Sequence, residues 1–445
     1  MLAKFLFFYI IYGRKRINLS ENCLMKKILC LICLLSVSFY SCAVRNYLGS
    51  QSGLSENRVF YAQMINNGNT YGWFNIPAHL LKVSDNLAIY MQTTFFTSYK
   101  ENISSYALNK LAQEFDYYYT SMTNIYGTHS DIDANGKIII LLMDINKTKG
   151  SGNQVLGYFN PSDMHGNNKG EILYMDISNA NNKTDNAIGT IIHEFQHLIN
   201  YSYVIGGERN EMSSWLNEAL SESTSILFNK ATVESRIAGF NNINYYCFYT
   251  WDIPTNISNN NKNNTHVNYP SASVFMNWLY QKNGSNDSIF KTIASSKELG
   301  DYNKVLSAAK DISGLSGATW DSLLLNWMSE IVTNGSNWTT TNKPTNNCAS
   351  GDVSLYPGAM IVCDSYTNGA SGNIVTNKVN GNSGKTIVLN KDTTLGKGAT
   401  SVKVSVTSST SSKARTRRSA IRNDNNEESR DINILLDRNG NIKKD

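Results

Sequence analysis

Apolar and polar positions along the chain predict strands first and helices later. Alternating or continuous apolar runs predict strands over 86–96 ("NLAIYMQTTFF"), Gly136–Asn146 ("GKIIILLMDIN") and Gly170–Ser178 ("GEILYMDIS"). Apolar residues at helical spacing predict a helix over Ser104–Gly127. Beyond Gly207 the pattern is mainly helical, over Ser213–Asn229, Pro270–Lys282, Ser288–Ser296 and Thr319–Val332. The order indicates an α+β protein.

Changes in amino-acid composition along the chain divide it into regions. A tether is expected at 43–54, a main domain at 55–335 and a small β-rich module at 336–410, where "KTIVL" and "SVKVSV" suggest short strands. The tail at 411–445, including the basic run "KARTRR", is expected to be disordered or weakly docked.

The formal net charge of +5 is mild for 445 residues and the basic groups are scattered, so a nucleic-acid partner is not implied. A monomer is expected.

The first 42 residues are typical of an export leader. Met25-Lys26-Lys27 precedes an apolar run to Tyr40, then Ser41 and Cys42. This resembles a bacterial lipoprotein signal in which Cys42 is lipidated, and an ordinary secretory signal peptide is the alternative. Met25 is the expected true start. The protein is therefore expected at the bacterial cell envelope or surface as a lipoprotein, or to be secreted.

Two histidines and a glutamate lie within the largely apolar stretch "TIIHEFQHLINY", from Thr190 to Tyr201. On a helix, His193 and His197 project from one face one turn apart and can hold one divalent ion. Glu194 is turned about 100° from His193, which places it beside the ion as a base for metal-bound water. A chance match with histidines that are merely hydrogen-bonded in the core is the competing interpretation.

A second helix, "SSWLNEALSES", supplies a third donor, which is a carboxylate. Glu218 lies twenty-one residues after His197, with Gly206-Gly207 between the helices. A hydrolytic zinc site needs three protein ligands, and Glu218 completes a His-His-Glu set. Glu222, one turn further on, can accept the other ring N–H of a ligating histidine, and Asn217 is a further candidate to support the ligands. A solvated helix charge is the alternative for Glu218.

"HEFQH" followed by "NEALSE" resembles the gluzincin metallopeptidases. "HEFQHLINY", "WLNEALSE" and "NYPSASVFMNWLY" together look like the hyicolysin family of neutral metallopeptidases, over about residues 55–335. The resemblance implies a thermolysin-like fold, with a mixed sheet, a zinc helix and a helical lobe, and one catalytic Zn²⁺. It also implies an edge strand over the cleft. Gly170–Ser178 is the expected edge strand, able to pair with an extended peptide.

This resemblance implies an exported zinc endopeptidase that acts on protein or peptide substrates. Zinc would lower the pKa of its water, and Glu194 would take the proton and pass it to the leaving amine. The developing oxyanion needs a further donor. Related gluzincins place a tyrosine just before a helix of this kind, so Tyr269 is the first candidate and His266 the alternative.

Other interpretations stay open. A surface-binding or adhesin lipoprotein on the same fold is a competitor from another class, and an exopeptidase is an alternative within enzymes. "DIDANG" resembles the start of a calcium loop through Asp131, Asp133 and Asn135, but Leu142 stands at the twelfth position, so a tight turn is favoured. Cys348 and Cys363 are close enough in sequence for a disulfide. No Gly-x-Ser-x-Gly elbow is present, which argues against a serine hydrolase.

Overall fold

The computed structural model describes residues 54–94, 102–148, 153–248, 251, 265–334, 348–367, 373–379, 384–391, 401–408 and 430–435. Those from Asn57 onward form one compact unit. The expected leader with Cys42, most of the tether, and the basic run of the tail lie outside the described residues.

Seven of the described strands form one mixed sheet. They are β1 (Asn57–Asn66), β2 (Asn69–Val83), β3 (Leu87–Gln92), β4 (Ile138–Met143), β5 (Asn153–Phe159), β6 (Ile172–Asp176) and β13 (Arg430–Leu435), in the spatial order β1-β2-β3-β4-β6-β5-β13. β1 to β3 run antiparallel, β3, β4 and β6 pair in parallel, and β5 is antiparallel to β6. Every residue of β4 and β6 is buried, as expected for continuous apolar runs at the centre of a sheet.

The predicted edge strand is wrong in its position. Gly170–Ser178 contains β6, which lies between β4 and β5 and is paired on both sides. The strand beyond β6 is β5, "NQVLGYF", which the apolar pattern did not predict. The outer side of β5 pairs in parallel with β13, from the predicted disordered or weakly docked tail.

Gly157 allows β5 to lie close to its neighbours. A Cβ at this position would come within 2.7 Å of the Tyr174 carbonyl oxygen and 2.8 Å of the Thr190 methyl carbon. Such distances are shorter than van der Waals contact, so a larger residue would push β5 away from β6 and from the helix that carries Thr190.

Nine α-helices lie among the described residues. They are α1 (Ser105–Tyr126), α2 (Ile177–Asn182), α3 (Thr184–Ile205), α4 (Ser214–Phe228), α5 (Lys230–Asn241), α6 (Thr265–Lys282), α7 (Ser288–Ser295), α8 (Asp301–Ala309) and α9 (Trp320–Asn334). Predicted helices correspond to α1, α3, α4, α6, α7 and α9, whereas α2, α5 and α8 were missed. The predicted start of α6 is wrong because this helix begins at Thr265 and contains Pro270.

The described part of the β-rich region holds two three-stranded sheets. One has the order β10-β11-β8 and the other β7-β12-β9, formed by β7 (Gly351–Leu355), β8 (Met360–Cys363), β9 (Ser365–Thr367), β10 (Ile374–Lys378), β11 (Thr386–Asn390) and β12 (Val402–Thr407). Alternate residues of β8 and β11 face different cores: Met360 and Leu389 join the main core, whereas Ile361 and Val388 pack with Val404.

Cys348 and Cys363 are free thiols in the structure, so the suggested disulfide is not formed. None of the helices in the described ranges has the length and apolar character needed to cross a bilayer.

Candidate metal centre

The two histidines of α3 point their ring nitrogens at each other. His193 Nε2 and His197 Nε2 are 3.2 Å apart, and both side chains are buried. The helix places them on one face because residues four apart lie one turn apart. Ile191, Phe195 and Leu198 cover the other sides of α3 within the core.

Glu218 of α4 brings a carboxylate oxygen to the same point. Glu218 Oε2 lies 3.3 Å from His193 Nε2 and 3.7 Å from His197 Nε2. This oxygen is buried and no donor among the described residues hydrogen-bonds to it. Ligand atoms of His193, His197 and Glu218 all lie within 4.8 Å of one another. Two imidazoles and one carboxylate are a donor set that zinc takes in proteins, so these residues fit a zinc ion.

His193, His197 and Glu218, here called the trio, influence one another's protonation. Burial would raise the pKa of Glu218, but the two imidazoles hold it well below its usual range. Burial would lower the pKa of His197, but the Glu218 carboxylate outweighs this effect and raises it. A buried carboxylate of this kind needs positive charge beside it, which is the electrostatic condition for binding a cation.

Further side chains fix the orientation of the imidazole rings. Glu222 Oε1 lies 3.6 Å from His193 Nδ1, which is an electrostatic contact at that length rather than a hydrogen bond. Glu222 is held by Arg236 of α5, whose Nε and Nη2 donate to it at 2.8 and 2.7 Å. His197 Nδ1 lies 3.0 Å from Ser221 Oγ. Sequence reasoning named Glu222 but missed Arg236 and Ser221, for which no local pattern gives a signal.

Asn217 links the two helices that carry the trio. Asn200 Nδ2 of α3 donates to Asn217 Oδ1 of α4 at 2.7 Å. This bond helps to fix the distance between the helices.

Glu194 lies between the trio and β5. Its Oε2 accepts a hydrogen bond from the backbone N–H of Phe159 at 3.0 Å, and its buried Oε1 has no hydrogen-bond partner among the described residues. Burial raises the pKa of Glu194, while His193 and His197 oppose that rise. β5 therefore holds Glu194 Oε2 through the Phe159 N–H, whereas Glu194 Oε1 makes no hydrogen bond to the described residues.

Tyr269 is buried in α6 close to the trio. Its ring centroid lies 6.4 Å from that of His193, and the Arg236 guanidinium lies over its ring at 4.7 Å. Burial, with Glu218 as the next cause, raises the pKa of Tyr269 well above its usual value, so the phenol stays protonated and able to donate. The side chain of His266, the alternative donor, lies outside the described residues.

A cavity of about 110 Å³ adjoins His193. Its walls come from β5, α3, α4 and α5, and include Leu156, Thr190, Ser225 and Arg236. The cavity is large enough for a small side chain and lies beside the metal-facing histidine.

The segment 131–136 forms a turn, as the sequence favoured, and the Asn135 side chain is hydrogen-bonded within it. The Ala134 N–H donates to the Asp131 carbonyl oxygen at 3.4 Å. The Asn135 amide nitrogen donates to Asp133 Oδ2 at 2.7 Å, while Asn135 Oδ1 accepts from the Lys137 N–H.

The chain has a distant similarity to a known protein, and no family model matches it. The chain is 27% identical over 184 residues to the neutral metalloprotease ShpI of Staphylococcus hyicus. The aligned part covers 38% of this chain and 40% of that protein, so the match spans less than half of the relative's length. This similarity and the His-His-Glu trio together support a metallopeptidase.

We expect Glu218→Ala to weaken zinc binding. Losing a group that merely orients a ligand lowers metal affinity by about 10- to 100-fold, so losing a direct donor should exceed that range. Zinc content and affinity of the purified protein measure the effect. Glu234→Ala, which removes a more exposed carboxylate of α5, is the matched control and should bind zinc normally. Equal zinc affinity in both variants would exclude Glu218 as a ligand.

Proposed function

We propose that the protein is an exported zinc endopeptidase that hydrolyses peptide bonds in protein or peptide substrates. The observation that carries this proposal is the meeting of His193, His197 and Glu218 beside a carboxylate, Glu194, that has one uncommitted oxygen. A relative named as a neutral metalloprotease adds independent support.

His193, His197 and Glu218 would hold the metal ion. A zinc ion bound there supplies Lewis acidity, which polarises a carbonyl and lowers the pKa of water. Ser221 orients the His197 ring, the Glu222 carboxylate lies against the His193 ring, and Arg236 in turn holds Glu222. Such orienting partners are what keep the donor atoms of a metal site aligned.

Glu194 is the proposed general base. Its Oε1 takes a proton from the attacking water and returns it to the leaving amine. The hydrogen bond from the Phe159 N–H keeps the carboxylate beside β5, and burial makes Glu194 a stronger base than an exposed carboxylate.

Tyr269 is the proposed donor to the developing oxyanion. Its phenol is protonated and its ring is packed between Trp251 and the Arg236 guanidinium. A donor held rigidly in a buried site costs little reorganisation when negative charge forms.

The cleft strand β5 is the proposed docking edge for an extended substrate. Backbone groups on the outer edge of a strand can pair with a peptide by strand addition. In the structure β13 pairs with this edge, with Leu435 opposite Phe159. Substrate can use the same backbone groups only after β13 has left. The cavity beside His193 is the proposed subsite for one substrate side chain.

Export and lipid attachment at Cys42 are proposed from the leader alone, which lies outside the described residues. A binding lipoprotein without activity has no use for a base at Glu194, so the peptidase is preferred.

We expect Glu194→Gln to retain zinc and lower kcat by roughly 10²- to 10⁴-fold, the usual contribution of general acid–base catalysis. Glutamine keeps an oxygen for the Phe159 N–H but cannot take the proton. Casein hydrolysis and zinc content should be measured together. Glu208→Gln, at an exposed position, should leave both unchanged. Wild-type turnover in Glu194→Gln would remove Glu194 as the base.

Tyr269→Phe should lower kcat by roughly 10²- to 10³-fold, as loss of one oxyanion donor does, with a smaller change in KM. Phenylalanine preserves the packing against Trp251, so stability should change little. Steady-state kinetics on one peptide substrate separate the two constants. A change confined to KM would assign Tyr269 to substrate binding instead.

Ile432→Pro should raise kcat/KM for peptides, mainly by lowering KM. Proline removes a backbone N–H and fixes φ, so β13 should pair less strongly with β5 and leave it more readily. Ile432→Val keeps the N–H and is the matched control. Equal kinetics in the two variants would mean that β13 does not compete with substrate.

A further inference from the structure

Three carboxylates outside the candidate zinc centre converge at the start of β4 and β6. Asp131 and Asp133 belong to the turn before β4, and Glu171 directly precedes β6. One carboxylate oxygen from each lies within 4.8 Å of those of the other two. Like charges at this spacing repel one another unless a cation lies between them.

Glu171 has an oxygen that the protein leaves unsatisfied. The side chain is 1% exposed. Its Oε1 accepts hydrogen bonds from Ser130 Oγ at 2.7 Å and the Ile132 N–H at 3.0 Å. Its Oε2 is buried and has no hydrogen-bond partner among the described residues. A buried carboxylate oxygen without a donor is costly, which points to a ligand at this position.

Positive charge from the protein is scarce at this cluster. Arg58 Nη1 lies 3.7 Å from Asp133 Oδ2, and this is the one ion pair that the described residues make with the three acids. Arg58 also donates to the Asn168 carbonyl oxygen through Nη2. One guanidinium beside three carboxylates leaves most of the negative charge uncompensated.

The backbone is shaped to bring the acids together. The Gly136 N–H donates to Asp131 Oδ1 at 3.0 Å, and Gly136 has a φ of 66°. A Cβ on Gly170 would lie 2.8 Å from Asp133 Oδ2, so glycine lets this aspartate approach Glu171 without displacement.

We propose that Asp131, Asp133 and Glu171 form a calcium site. All three donors are hard oxygens. Their oxygens lie within 4.8 Å of one another and can therefore share one cation. Three protein carboxylates favour Ca²⁺, because Mg²⁺ usually takes one or two carboxylates and keeps several of its waters. Asp131 is exposed, so water can complete the coordination shell.

The site has a structural role because of its connections. Ser130 Oγ donates to Glu171 and lies 3.2 Å from Ser202 Oγ, which is on α3 beyond His197. Calcium would therefore tie the turn and β6 to the C-terminal half of the metal-binding helix. The inference does not depend on peptidase activity.

The test is calcium binding to the full-length, zinc-loaded protein in a Glu194→Gln background, which prevents self-cleavage. Calcium alone is titrated by calorimetry, and Tm is measured with and without Ca²⁺. We expect a saturable site with a Kd on the order of 10⁻⁴–10⁻³ M, typical of extracellular calcium modules, and a rise in Tm that an equal concentration of Mg²⁺ does not reproduce.

Asp131→Asn and Glu171→Gln should each weaken calcium binding by at least about tenfold and remove the calcium-dependent rise in Tm. Zinc content should stay unchanged. Glu298→Gln, at an exposed site elsewhere, is the control and should bind calcium normally. If Glu171→Gln fails to fold, the exposed Asp131→Asn decides. Absence of saturable binding, or wild-type affinity in Asp131→Asn, would overturn the proposal.

Discussion

The structure depends on the burial of Glu218 against two imidazoles. A carboxylate taken out of water loses several kcal/mol of hydration, which only charge-bearing or hydrogen-bonding partners recover. His193 and His197 meet this need from one face of α3. The crossing of α3 and α4 is therefore an electrostatic requirement as well as a packing one. The bidentate Glu222–Arg236 pair extends the same requirement to α5, because Glu222 is itself completely buried.

A second constraint is the close approach of β5 to α3. Gly157 removes the side chain that would keep them apart, and the Phe159 N–H then reaches Glu194. A strand that contacts the base holds its outer edge close to the metal-facing atoms. The proposed substrate edge and the proposed base would thus both be positioned by one element, so displacement of β5 would disturb both.

The centre was predictable where its geometry is local. His193, Glu194 and His197 follow from helix periodicity, and Glu218 and Glu222 from the neighbouring helix and the resemblance that its motif carries. Arg236 and Ser221 were missed because their roles arise from how helices cross. The prediction of the edge strand failed for a similar reason. The continuous apolar run of Ile172–Asp176 indicated burial, and burial on both sides belongs to an interior strand rather than an edge. β5 carries a glycine and polar residues, so its pattern is weak.

The pairing of β13 with β5 connects the end of the chain with the centre. An open strand edge exposes unpaired N–H and C=O groups, which proteins commonly cover to avoid association. Those groups are also what an extended peptide would need. Covering the edge and binding a substrate strand therefore exclude each other. The register places the last described residue of β13 opposite Phe159, whose N–H bonds to Glu194. A strand that protects this edge must, by the same hydrogen bonds, compete with a peptide lying alongside the proposed base.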